Sequence, residues 1–314
     1  MQEKPPVPAK PFRTGIIAGA LWMFAASLGF TALIGLIRFA GSDIHPFEVA
    51  FFRSFFGLVW MLPWLVQVGW VGLRTKRKWL YVGRAAVGIV SMLSWFWAIN
   101  RMPLTEGVAL SFTAPLFATI FAVFMLGEKV RARRWIAVVV GFIGVIVVLR
   151  PGSGEIGWPA AAMLFSAITQ AVSSMSIKAL TRDEPPARIV AYMVIFMTPL
   201  SLPPALFVWS WPSPLTWGIL IAIGLIATVS HLCMTRAFRA ADASAVMPFD
   251  YSRIVLVSIM GYLWFDEKTD LWTWVGAAII IGSSLYIVYR EAQVARATRK
   301  STRPATAAAQ EPDR

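Results

Sequence analysis

The chain has 314 residues, 58% of them hydrophobic and 14% charged, with a mean hydropathy of +0.66 and a formal net charge of +13. A soluble domain carries about 25% charged residues, and a large soluble helical protein needs polar faces at a 3.6-residue period that these helices lack. The single cysteine, Cys233, leaves no internal disulfide, and no CxxC, HExxH or His/Cys cluster calls for a metal or a cofactor.

Apolar blocks of about 20 residues, each able to cross a hydrocarbon core of about 30 Å as a helix, recur along the chain. They predict ten spans, at 14–37, 46–65, 79–99, 105–126, 133–149, 156–176, 188–209, 216–235, 244–264 and 271–289. The expected fold is therefore an all-α polytopic membrane protein. Lys4, Lys10 and Arg13 precede the first span as they would a signal peptide, but its apolar run is too long for an h-region. The Pro-rich segment 1–13 and the basic segment 291–314 read as disordered tails.

The charge is distributed by side. With the N-terminus inside, the inner segments hold 22 Lys and Arg, and the outer segments hold four: Arg38, Arg101, Arg150 and Lys268. Orientation follows Lys and Arg in short loops, so both termini are expected in the cytoplasm. This placement assigns the positive charge to membrane orientation and argues against nucleic acid as a partner.

The chain also repeats itself. FMLGEKVRARRW places Glu128 after the fourth span, LWFDEKTDLWTW places Glu267 after the ninth, and a Trp follows each seven residues later, at Trp135 and Trp274. At the same offset of 139, Ser91 meets Ser230, Leu93 meets Leu232 and Ala98 meets Ala237, while Pro46 and Pro63 meet Pro186 and Pro203 at 140. Each half holds five spans, at 14–150 and 151–290. An odd number turns the second copy upside down, giving ten transmembrane helices as two inverted five-helix repeats. Such repeats are a transporter architecture, with solute held near the midplane.

The stretches TAPLFATIFAVFMLGEKVRARRWIAVVVGFIGVIVVLRPG (113–152) and AFRAADASAVMPFDYSRIVLVSIMGYLWFDE (237–267) resemble the EamA-type transporters of the drug/metabolite transporter superfamily. The resemblance covers roughly 14–290. It implies ten helices around a central cavity, residence in the bacterial inner membrane, and a solute site lined by helices 1, 3, 4, 6, 8 and 9. It also implies a small organic solute, such as an amino acid, riboflavin or S-adenosylmethionine; PFDYSR in helix 9 is similar to members that handle the latter two. The second copy departs from the pattern at its outer corner, ending in FDE rather than GE.

The ninth span carries Asp250 and Arg253 in otherwise apolar sequence. A charge at a helix centre costs about 2.5–3.5 kcal/mol, and each Leu, Ile, Phe or Val returns only about 0.3–0.6. At i, i+3 the two share a face; they either face a cavity, with Arg253 available to an anionic group, or form an internal ion pair that fixes packing. The offset of 139 sets Asp250 against Ser111, Tyr251 against Phe112 and Arg253 against Ala114. A pair present in one copy suits an asymmetric solute. Asp250, Tyr251, Arg253, Ser111, Phe112, Trp95 and Trp22 are the candidate substrate-binding residues; the aromatic ones offer faces to flat or cationic ligands.

Arg53 and Glu48 in helix 2 and His231 in helix 8 are the candidates for gating or coupling, although Arg53 and Glu48 are five apart, an imperfect spacing for direct pairing. Arg84 either snorkels to the cytoplasmic face or serves the cavity. Glu106 suits a helix N-terminus, and Glu128 a loop contact to nearby arginines. Gly141, Gly144, Gly276 and Gly282 read as sites of close helix packing. Asp250 is the acid for proton coupling unless Arg253 stays paired to it. No Walker motif offers direct ATP drive. The expected function is a secondary transporter of a small-molecule substrate in a lipid bilayer, and a homodimer is left open. A membrane scaffold or lipid-handling protein is the alternative. An intramembrane enzyme lacks a partnered nucleophile.

Overall fold

The computed structural model describes residues 12–126, 132–149, 157–180, 184–241, 246 and 249–308, and every regular element among them is a helix. In chain order these are α1 (Phe12–Ala40), α2 (Pro46–Gly72), α3 (Lys78–Ile99), α4 (Leu104–Ser111), α5 (Ala114–Leu126), α6 (Ala132–Leu149), α7 (Trp158–Leu180), α8 (Pro186–Leu206), α9 (Pro214–Ala240), α10 (Ser252–Phe265) and α11 (Leu271–Ala308). Six helices among the described residues are long and apolar enough to cross a membrane, within α1, α2, α3, α8, α9 and the stretch Leu104–Phe121. Trp135–Leu149, Ser252–Phe265 and Leu271–Ile287 are shorter apolar helices. The sixth expected span is also helical, as α7, but Gln170, Ser173, Ser174 and Ser176 make it more polar.

Two expectations are corrected. The fourth span is two helices, with a turn at Phe112 and Thr113. Pro115 explains the position: it has no N–H to give to the preceding turn, but it fits the first turn of a new helix. The basic tail, expected to be disordered from 291, continues as helix to Ala308, in a stretch with six Ala and three Arg, which favour helix.

The packing crosses between halves. The most extensive contacts are α1 with α9, α6 with α11, α3 with α7 and α2 with α8; α2 also packs on α9, and α4 meets α10. With the expected spans counted from one to ten, and α4 and α5 together as the fourth, this pairs 1 with 8, 2 with 7, 3 with 6, 4 with 9 and 5 with 10. Exchanging the two halves leaves the set unchanged. One large apolar core draws on both halves, from Phe30 and Ile34 through Met92 and Leu110 to Leu220, Ile223 and Val257.

Where α6 meets α11, close approach requires missing side chains. A Cβ on Gly144 would stand 2.9 Å from the Gly276 carbonyl oxygen, and one on Gly276 would stand 2.7 Å from that of Gly144. Gly141 is crowded by Leu116 and Ser283 instead, while Gly282 has open space and is no packing site. Near the end of α2, Gly69 takes φ 58, a left-handed conformation that favours glycine. The chain beyond it presents the Gly72 carbonyl to Arg188 Nε at 2.6 Å and the Leu73 carbonyl to the Tyr192 hydroxyl at 2.6 Å. Glu184 completes that end, accepting from Thr75 and pairing with Arg188, each at 2.6 Å.

At the opposite end of the helices, Glu267 pairs with Arg38 at 2.9 Å and accepts from the Leu104 N–H at 2.7 Å, capping α4 from the other half of the chain. Arg38 also donates to the carbonyls of Ile99 and Met102, at 2.6 and 3.1 Å. The FDE corner that departs from the family pattern is thus a lock between α1, α3, α4 and α10. Glu267→Gln removes the charge from both contacts. Hydrogen bonds to charged groups are worth about 1.5–3 kcal/mol, so a melting temperature several degrees below wild type is expected in detergent. An unchanged melting curve would show the lock to be incidental.

Candidate functional site

The second half breaks where the first does. Phe249 and Asp250 are helical, Tyr251 is a turn and α10 starts at Ser252. Tyr251 is the residue that the offset of 139 sets against Phe112, at the break between α4 and α5. The two rings meet edge to face with centroids 4.8 Å apart, both residues buried. A break frees backbone carbonyls, which membrane proteins accommodate only inside the protein or along a cavity. Here hydroxyls take them up: Ser284 donates to the Phe112 carbonyl at 3.2 Å, Ser252 to that of Phe249 at 2.6 Å, and Thr113 to that of Leu110 at 2.7 Å.

Asp250 and Arg253 flank the second break. Arg253 Nη2 donates to Asp250 Oδ2 at 3.1 Å, and Ser27 on α1 donates to Asp250 Oδ1 at 3.2 Å. The guanidinium lies 5.0 Å from the ring centre of Phe112 and 5.5 Å from that of Phe30. Both side chains of the pair keep about a fifth of their surface open. The Tyr251 hydroxyl and Arg253 Nε are buried without a hydrogen-bond partner among the described residues. The cluster therefore presents a guanidinium framed by two aromatic rings, a carboxylate and a phenol, with donor capacity left unused.

His231 adjoins it. Its ring meets Phe30 edge to face at 5.1 Å, and its Nδ1 donates to the Ala227 carbonyl one turn back, at 2.9 Å, so that Nε2 is the acceptor whenever the ring is neutral. Arg53 is buried and donates to Met92 Sδ at 3.3 Å.

Other expected site residues lie elsewhere. Glu48 does not meet Arg53. It accepts from the His45 N–H at 3.2 Å, and from Ser210 N–H and Oγ at 3.0 Å each, so it caps α2 and ties it to the chain after α8. Trp22 is partly exposed on α1 beneath the Arg236 guanidinium, 5.0 Å away. Trp95 contacts Phe96, its neighbour in sequence. Ser111 donates to the Val108 carbonyl at 2.7 Å on its own helix. Arg84 is buried and does not snorkel. Glu128 lies outside the described residues. An open groove lined by Ser258, Tyr262, Glu267, Lys268, Thr269 and Trp274 belongs to the Glu267 corner rather than to Arg253.

Sequence reasoning missed Ser27 and Phe30. For Ser27 a signal existed, since the offset of 139 carries it to Ser166. Between α3 and α7, Ser91 and Ser166 hydrogen-bond each other's hydroxyl at 3.2 Å and backbone carbonyls at 3.0 and 2.9 Å. In the corresponding α1–α9 contact, Ser230 turns to the Ile226 carbonyl at 2.7 Å and Ser27 is released to Asp250.

Residues 17–150 and 157–289 each match the model of the EamA-like transporter family. The chain belongs to that family. It is a metabolite transporter by its relatives, and a multi-pass membrane protein. It is similar to the S-adenosylmethionine uptake transporter of Rickettsia prowazekii, 32% identical over 273 residues that cover 87% of this chain and 93% of the relative. It is similar to the riboflavin transporter of Rhizobium johnstonii, 31% identical over 278 residues, 88% and 92% of the two chains. The pseudopaline exporter CntI of Pseudomonas aeruginosa is 29% identical over 270 residues, 84% and 93%. One crystal structure shares the fold with a TM-score of 0.62 at 18% identity, covering 85% of this chain and 95% of its own. The two family matches fall on the two halves between which every major helix pair forms.

Proposed function

We propose that the chain is a secondary transporter of a small organic metabolite, with ten spans in two inverted five-helix repeats and both termini in the cytoplasm of a bacterial inner-membrane protein. The halves would rock about the meeting point of the two broken helices, giving alternating access. The observation that carries this reading is the coincidence of the breaks, with Phe112 and Tyr251 at equivalent positions and in contact. Broken helices paired across a repeat axis are how secondary transporters hold solute near the midplane. Asp250, Tyr251, Arg253 and Phe112, with Ser27 and Phe30, form the solute site in this reading. Arg53 and His231 lie beside it, and Glu48 and Trp22 drop out. Asp250 is already committed to Arg253 and Ser27, which argues against a role in carrying protons.

The relatives set the panel. Purified protein in proteoliposomes is expected to accumulate at least one of S-adenosylmethionine, riboflavin or an amino acid above protein-free vesicles, with uptake that saturates. Sealed vesicles with folded protein that take up none of them would favour a scaffold instead.

A further inference from the structure

Of the 29 Lys and Arg residues, three lie more than two residues inside an expected span: Arg53, Arg84 and Arg253. Arg253 has its carboxylate. Arg53 and Arg84 have none among the described residues, and they are 6% and 8% exposed. Arg53 stands seven residues into α2 and Arg84 six residues into α3, on consecutive helices that begin at opposite ends of the bundle. At about 1.5 Å per residue, each is carried roughly 10 Å inward, and like charges repel, the more so away from water. The acids that might neutralise them are engaged elsewhere: Glu48 with His45 and Ser210, Glu184 with Thr75 and Arg188, Asp250 with Ser27 and Arg253. Arg84 Nε is buried without a partner, as is the hydroxyl of Tyr81, one turn before it on the same face of α3. The hydrogen bond that Arg53 makes is to a thioether, a weak acceptor.

Two buried, mutually repelling guanidiniums are strongly unfavourable unless something else supplies negative charge. We infer that Arg53 and Arg84, with Tyr81, receive an anionic group, a carboxylate or a phosphate, on the transported solute. Guanidiniums match such groups with two parallel hydrogen bonds. This rests on the proposed transport reading and narrows its solute class to one with an anionic end. The aromatic frame around Arg253 is then left to the remainder of the molecule.

The test uses the purified full chain in detergent. Millimolar succinate or inorganic phosphate, against chloride at equal ionic strength, is expected to raise the melting temperature by about 5 °C, as ligand held at many times its dissociation constant does. Arg53→Gln and Arg84→Gln should each abolish that rise. They should melt no lower than wild type without anion, because each removes an uncompensated charge. In proteoliposomes the same variants should reduce uptake of a carboxylate-bearing solute at least tenfold. Variants that melt well below wild type in chloride would make the arginines structural and overturn the inference. So would equal stabilisation of wild type and variants, or a rise produced by phosphatidylglycerol and not by the free anions, which would assign the pair to a lipid headgroup. Undiminished uptake by the variants overturns it while transport stands. Variant-sensitive stabilisation with no uptake of any solute supports it and counts against transport.

Discussion

Arg253→Ala should abolish transport while leaving a folded protein. The side chain touches three things at once: the Asp250 carboxylate and the rings of Phe30 and Phe112. Its removal strands Asp250 with only the Ser27 hydroxyl. Breaking a fully buried pair costs about 3–5 kcal/mol; this one keeps a fifth of its surface open, so roughly 1–3 kcal/mol is expected after screening, and a melting temperature a few degrees lower. Uptake should fall much further, by about tenfold or more. Arg253→Lys keeps the charge but loses the planar fork and its stacking, and intermediate uptake is expected. The double change Asp250→Asn with Arg253→Ala removes both charges, so it should regain stability without regaining uptake. If it regains both, the pair is architecture and the solute is held elsewhere, with Arg53 the next place to look.

Gly276→Leu should prevent assembly altogether. α6 and α11 approach so closely that even a methyl group on Gly276 would press on the Gly144 carbonyl. Adding a methylene or two to a packed interior costs about 1–3 kcal/mol, and here the obstacle is backbone, which cannot rotate away. Little monodisperse protein is expected after detergent extraction. Gly282→Leu on the same helix is the control, since nothing lies within 4 Å of the added carbon; it should extract as wild type does. Equal behaviour of the two variants would mean that the close contact does not govern assembly.

Much of the fold was legible because the bilayer imposes a length on each apolar block. The starts of α2, α3 and α9 fall within two residues of expectation. The break at Phe112 was not read, although Pro115 was visible, because hydropathy runs unbroken across it. The offset of 139 set Tyr251 against Phe112 correctly, but a linear comparison cannot say that equivalent residues touch. Asp250 and Arg253 stood out because charge in apolar sequence is conspicuous, and the structure pairs them. Ser27 and Phe30 went unnoticed because serine and phenylalanine are ordinary there. The partner of Glu48 was out of reach for a similar reason: a buried acid drew attention, but Ser210 lies 162 residues away.

The pairing of every major helix with one from the other half has a consequence during synthesis. The helices α1 to α6 leave the ribosome before any of α8, α9 or α11 exists. At about 5–20 residues per second, the second half follows over roughly ten seconds or more. Through that interval the first half sits in lipid without its partners, with Arg53 and Arg84 facing whatever the insertion machinery offers. Tertiary structure must therefore form late, after nearly the whole chain has been delivered. A truncated product holding only the first repeat would be inserted but unassembled, a natural substrate for membrane quality-control proteases.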